Sequence, residues 1–134
     1  MTRSVTPFLM FTGKAEAAMN LYVSLFGDSK IDKIDRYTSE GPGAEGTVKE
    51  ASFVLCGRDF ACADSPSDHA SFPFSPAMSL FVDVADEAEI ERAFAGLSED
   101  GKIIMPLKEY PFARKFAWLT DRFGLTWQLM LPSA

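Results

Sequence analysis

With 134 residues, 47% of them apolar and 24% charged, the chain has one domain's length and enough apolar residues for a core, which excludes a disordered segment. Its net charge of −6 argues against a nucleic-acid binder, whose affinity would rest on Lys and Arg neutralising phosphates. No apolar run approaches the roughly 20 residues needed to span a bilayer, and MTRSVTPFLMF, with one Arg, reads as too short an apolar stretch for a signal peptide. The expectation is a soluble, cytoplasmic protein with no nucleic-acid or membrane partner.

Along the chain, Val5 to Phe11 reads as a short strand. Between Lys14 and Phe26 the period changes: Ala15, Ala18, Met19, Tyr22, Leu25 and Phe26 recur at the spacing of one buried helix face, and Gly27 is expected to end the helix. Ile31 to Tyr37 alternates as a strand with at least one wet face. SEGPGAEG, residues 39–46, reads as a flexible loop. Val48 to Leu55 and Phe60 to Ala63 are strands joined by the CGRD turn, in which Gly57 supplies a permissive backbone. SPSDHASFPFSP, residues 65–76, holds three prolines and reads as a linker.

A second strand-then-helix unit follows. Met78 to Val84 reads as a strand, and Asp86 with Glu89 has the spacing of a capping box. Ile90, Ala93, Phe94 and Leu97 mark a helix face over 86–97. Strands are predicted at Lys102 to Leu107, Phe112 to Thr120 and Leu125 to Leu131. The order β-α-β-β-β thus occurs twice. FTGKAEAAMNLYVSLF and VDVADEAEIERAFAGL superpose with Met19 on Ile90 and Phe26 on Leu97, an offset near half the chain. The organisation read from this is one α+β domain: a first module at about 1–64, the linker at 65–76 and a second module at about 77–134.

Three stretches carry a family resemblance: TPFLMFTGKAEAAMNLYVSLFG, VKEASFVLCGRDFACADSP and IIMPLKEYPFARKFAWLTDRFGLTWQL. They cover nearly the whole chain and resemble the PhnB-like branch of the vicinal oxygen chelate superfamily, which includes glyoxalase I, extradiol dioxygenases and bleomycin-resistance proteins. The resemblance implies two βαβββ modules whose curved sheets form an open cup with helices outside. It also implies a small-molecule ligand inside the cup. The metal-ligand positions of the superfamily's enzymes then fall at Pro7, Ser79, Gln128 and near Cys62. Proline has no donor atom, and serine and a neutral amide are weak ligands. No metal and no cofactor are therefore expected.

Alternation places Thr126, Gln128 and Met130 on one strand face, opposite Trp127, Leu129 and Leu131. Ser79, Phe81 and Asp83 share a face opposite Leu80, Val82 and Val84. The expected ligand cavity is lined by Gln128, Ser79, Phe81, Trp118, Cys62 and Asp64; no catalytic residue is assigned. Asp83 reads either as a cup residue or as the wet end of its strand. Arg114 and Lys115 read either as partners for an anionic substrate or as an exposed strand pair. His69, the one histidine, reads either as a loop acid or base or as solvated. Cys56 and Cys62 read as reduced, packed thiols. A homodimer is expected, because an open cup leaves sheet edges and apolar rims that one chain covers poorly, and the resemblance points the same way.

Three functions compete. The first is a metal-free binding protein with an apolar, aromatic cup. The second is an enzyme of the superfamily acting without the usual metal or with an atypical one. The third is a ubiquinone-type methyltransferase, as some relatives are labelled. It ranks last, since no strand–glycine-rich turn–helix unit of the kind that usually holds a methyl donor is present.

Overall fold

The first strand, β1 (Phe8–Phe11), alternates exposed Phe8 and Met10 with buried Leu9 and Phe11. It is shorter than the apolar run before it predicts, and its parallel pairing with β4 (Arg58–Asp64) begins at Phe8. Pro7 contributes only its carbonyl, which accepts from Ala61 N. A computed structural model describes residues 3–66 and 73–133, and the chain divides into two compact units, Met1–Ser71 and Phe72–Ala134.

In the first unit, helix α1 (Ala15–Leu25) buries Ala15, Ala18, Met19, Tyr22 and Leu25, the face its periodicity predicts. Its start has no side-chain cap from Lys14. Instead Asp64, at the end of β4, accepts from Ala15 N at 2.9 Å and from Val48 N at 2.9 Å. One buried carboxylate therefore ties together the start of the helix, the start of β3 (Val48–Leu55) and the end of β4. The helix ends as Phe26 turns extended and is buried. Gly27 does not adopt a left-handed conformation; Asp28 does, with φ 58°.

Strand β2 (Lys30–Arg36) carries a register shift between Ile31 and Lys33. A bulge of this kind re-aims the side chains that follow, and Ile31 and Ile34 are both half-buried despite their odd spacing. The loop at residues 38–47 is tied at its base by backbone hydrogen bonds. Tyr37 N donates to Thr47 O and Gly46 N to Tyr37 O. The Tyr37 ring lies so close to Gly43 that an added Cβ would collide with it. Cys56 (φ 51°) and Gly57 (φ 79°) make the β3–β4 turn.

The second unit repeats the plan: β5 (Ser79–Asp83), α2 (Glu87–Ser98), β6 (Lys102–Tyr110), β7 (Ala113–Thr120) and β8 (Thr126–Leu131). The sheet orders are β1-β4-β3-β2 and β5-β8-β7-β6, and the first and last strands of each module pair in parallel. The fold class is thus α+β with two βαβββ modules, as predicted. In α2, Asp86 Oδ1 accepts from Glu89 N at 2.9 Å. The reciprocal bond runs one residue further out than in the usual capping box, from Ala85 N to Glu89 Oε1 at 2.8 Å. Ile90, Ala93 and Leu97 are buried on the helix. Trp127, Leu129 and Leu131 are buried on β8, and α2 packs on β7 and β8.

Candidate functional site

The second unit turns its other sheet face away from α2, and strand register sets what stands there. Phe81 pairs with Gln128, Gln128 with Trp118, and Trp118 with Met105, giving a row across all four strands. Neighbouring strands lie about 4.8 Å apart, so the row is roughly 14 Å wide. The row on one side is Ser79, Thr126, Thr120 and Lys102; on the other it is Asp83, Met130, Phe116 and Lys108. A band of hydroxyls thus borders a middle row of two aromatics, one amide and one thioether.

Gln128 Nε2 donates to Ser79 Oγ at 2.9 Å, joining the hydroxyl band to the middle row. Thr120 and Thr126 are hydroxyl partners at 3.1 Å. Phe81 is 52% exposed, a large apolar side chain open on this face. Phe116 packs edge-on against Tyr110 and Phe112, making an aromatic end wall. Trp118 is half-buried, and its Nε1 is shielded from solvent with no hydrogen-bond partner.

Four of the six expected cavity residues, Ser79, Phe81, Trp118 and Gln128, therefore share one face. Cys62 and Asp64 belong to the first unit and are placed differently. Register puts Leu9 beside Cys62 and Phe11 beside Asp64, all of them buried. Asp64 is 2% exposed, and both its oxygens serve backbone N–H groups, so it is a structural tie and not a rim residue. Burial, aided by the negative charge of Asp64, pushes the Cys62 thiol up to about 12. Cys56, expected to be packed, is exposed at the hairpin turn, and neither cysteine forms a disulfide.

Arg114 and Lys115 pair with carboxylates of α2. Arg114 bonds Glu87 through Nε and Nη2 at 3.2 and 2.7 Å, and Lys115 bonds Glu91 at 2.8 Å. The Arg114 hydrogen bond, then the charges of Lys115 and Arg114, hold Glu87 below the usual carboxylate range. The Glu91 hydrogen bond raises Lys115 above its ordinary value. His69 lies outside the described residues. Met105 escaped the sequence reading because register shifts in β6 decide which of its residues meets Trp118, and alternation alone cannot locate them.

The sequence profile of a family described as 3-demethylubiquinone-9 3-methyltransferase matches residues 3–130. The chain is also 53% identical to the PhnB protein of Bacillus cereus, which carries the same description, with a TM-score of 0.92 over 96% of this chain and 99% of that one. The chain belongs to this PhnB-like family. Protein YjdN of Escherichia coli (strain K12) is 27% identical over 139 residues, 93% of this PhnB-like chain and 92% of that protein. A glyoxylase/bleomycin resistance protein/dioxygenase domain from Frankia sp. EAN1pec shares the fold, at 16% identity and a TM-score of 0.66 over 99% of each chain. The PhnB-like branch read from the sequence is thus the family shown, and the Frankia likeness shows the fold.

In this PhnB-like chain the donors at the superfamily's metal positions do not fit a metal. Ser79 and Gln128 are neutral and bonded to each other. Pro7 offers only a backbone carbonyl, already accepting from Ala61 N. Cys62 is a buried, protonated thiol. Zinc, nickel and iron call for imidazole, thiolate or carboxylate ligands.

Proposed function

We propose that this PhnB-like protein binds a small, planar, largely apolar molecule on the Phe81–Gln128–Trp118–Met105 row, without a metal. The observation that carries the reading is the Gln128–Ser79 hydrogen bond. Two groups at metal-ligand positions satisfy each other as a neutral pair, and they stand beside an exposed phenyl ring and a half-buried indole. Aromatic and apolar walls with a few placed polar groups are the usual composition of small-molecule sites. The methyltransferase description finds no support at the strand–helix junctions. They read Thr12-Gly13-Lys14 and Val84-Ala85-Asp86, too poor in glycine to cradle a nucleotide-like donor.

The test is a titration with neutral bicyclic aromatics in chelator-treated buffer, read by tryptophan fluorescence. The Trp118 signal should change and saturate, and added zinc or nickel should leave the affinity unaltered. Trp118→Phe should remove the response while buried Trp127 stays silent. S-adenosylmethionine should give no binding heat. An affinity that appears only with added metal would overturn the reading, and saturable S-adenosylmethionine binding would restore the methyltransferase.

A further inference from the structure

In the three rows of this sheet face the hydroxyl and amide side chains are Ser79, Thr120, Thr126 and Gln128. Thr120 and Thr126 hold each other at 3.1 Å, and the Ser79 hydroxyl accepts from Gln128 Nε2 at 2.9 Å. The second bond orients the amide: with Nε2 committed to Ser79, the other end, Oε1, is left as an acceptor. Among the described residues no donor meets Oε1, and the only side-chain nitrogen or oxygen that is both shielded from solvent and unpartnered is Trp118 Nε1. Gln128 Oε1 therefore keeps accessible surface. It does so on the face away from α2, because Gln128 shares a strand face with Met130, while the opposite face of β8, with Trp127, Leu129 and Leu131, packs under that helix. Strand register sets it between Phe81, an exposed ring, and Trp118.

We propose that the ligand of this face is a planar aromatic carrying an N–H or O–H donor on its ring edge, and that Gln128 Oε1 receives that donor. This rests on the reading that the face binds a small molecule, and it names the class. Phe81 and the Trp118 ring offer contact to any flat apolar body, so they do not choose among such bodies. Gln128 Oε1 chooses. A ligand that covers it without supplying a donor leaves an amide oxygen dry and unpaired, whereas a ring N–H or O–H replaces the displaced water. Trp118 Nε1 takes no part, being closed to solvent. Charge enters only at the rim: Lys102 and Lys108 on β6 and Asp83 on β5 end the bordering rows on the two outer strands, and the centre of the middle row is left to the hydrogen bond.

The experiment compares indole with benzofuran on the full chain, labelled with 15N and with 13C at the methionine methyls, near neutral pH. The two probes share shape, and only indole carries a donor. The chain has one glutamine and one asparagine, Gln128 and Asn20, so the side-chain amide region is simple to assign. Indole should move the Gln128 amide signals, leave those of Asn20 in place, and bind about fivefold more tightly than benzofuran, the ratio one net hydrogen bond supplies. Gln128→Met keeps the length and drops the acceptor, and should bring the two affinities together; an unmoved Trp127 indole signal reports that the variant is folded. The wild-type comparison decides even if that variant does not fold. If both probes bind equally and shift the Met130 methyl signal, the face binds aromatics but this recognition is wrong. Quinoline, an acceptor without a donor, binding more tightly than indole would show the amide turned the other way and would equally overturn it. If no probe moves Gln128 or Met130, the binding reading falls together with it.

Discussion

Gln128 and Ser79, 49 positions apart in sequence, are joined by a 2.9 Å hydrogen bond across the parallel β5–β8 pair. Gln128→Glu places a carboxylate where a neutral amide stood, on a half-buried strand residue. The Ser79 hydroxyl is able to donate to it, but the charge still loses hydration. The variant should lose roughly 1–3 kcal/mol near neutral pH in denaturant unfolding. The loss should shrink in mild acid, where the new carboxyl is protonated. It should not bind zinc tightly, since one carboxylate is not a ligand set. A variant as stable as wild type at neutral pH, or one that takes up stoichiometric zinc, would refute this account of the pair.

The two cysteines should behave oppositely. Cys56 is exposed and Cys62 buried, so a thiol reagent should label one cysteine of the native protein quickly and the second only on unfolding. The Cys62 thiol keeps its proton up to about 12 in the folded protein, against an ordinary value of 9.0. The folded state therefore binds more protons than the unfolded state between those values. Stability is full below pH 9.0 and falls as pH rises toward 12, with a limiting slope of about 1.4 kcal/mol per pH unit. Cys62→Ala should be less stable at neutral pH and should show a weaker alkaline decline.

Gly101 and Gly43 should differ in their tolerance of alanine. A Cβ on Gly101 would run into Thr120 O, Asp121 Cα and Leu97 O, all backbone atoms that cannot swing aside. A Cβ on Gly43 meets the Tyr37 ring, a side chain that can turn away. Gly101→Ala should cost about 2–4 kcal/mol in thermal or denaturant unfolding, and Gly43→Ala about 1–2 kcal/mol. Equal losses would show that the Tyr37 ring is held as firmly as the backbone.

Asp121 is 3% exposed and accepts from Phe123 N, Leu125 N and the Trp127 indole. Asp121→Ala leaves these donors unmatched and should destabilise by about 3–5 kcal/mol. The loss should be visible in unfolding and in a red shift of Trp127 emission. A loss below 1 kcal/mol would mean that water replaces the carboxylate.

A homodimer is proposed from the exposed apolar side chains along the sheets, among them Phe8 and Met10 on β1, Phe81 on β5, and Ile103 and Ile104 on the edge strand β6. Unpaired edges and apolar patches of this kind favour burial against another chain. Light scattering at micromolar concentration should give twice the 14.8 kDa chain mass. A clean monomer mass would remove the proposal.

Local rules settled much of this protein before any coordinates. The 3.6 period placed α1 and α2 to within a residue or two, because each helix buries a single stripe. The period of two placed Ser79 and Phe81 opposite Leu80 and Val82, and Gln128 opposite Trp127 and Leu129. The repeated element order exposed the doubled module. What alternation along one strand does not fix is register between strands. Bulges in β6 bring Met105 beside Trp118, and pairing among β5, β8 and β7 sets Phe81, Gln128 and Trp118 in one row. Nor does sequence say which of several carboxylates lies under a helix. Asp64 resembles a rim residue in the letters, but the helix start and β3 converge on it, and their unpaired N–H groups claim both its oxygens. Arg114 and Lys115 were equally unreadable, since their partners Glu87 and Glu91 lie on a helix more than 20 residues away. Periodicity is a property of one element; partnership between polar groups forms only when elements pack, and tertiary structure decided it.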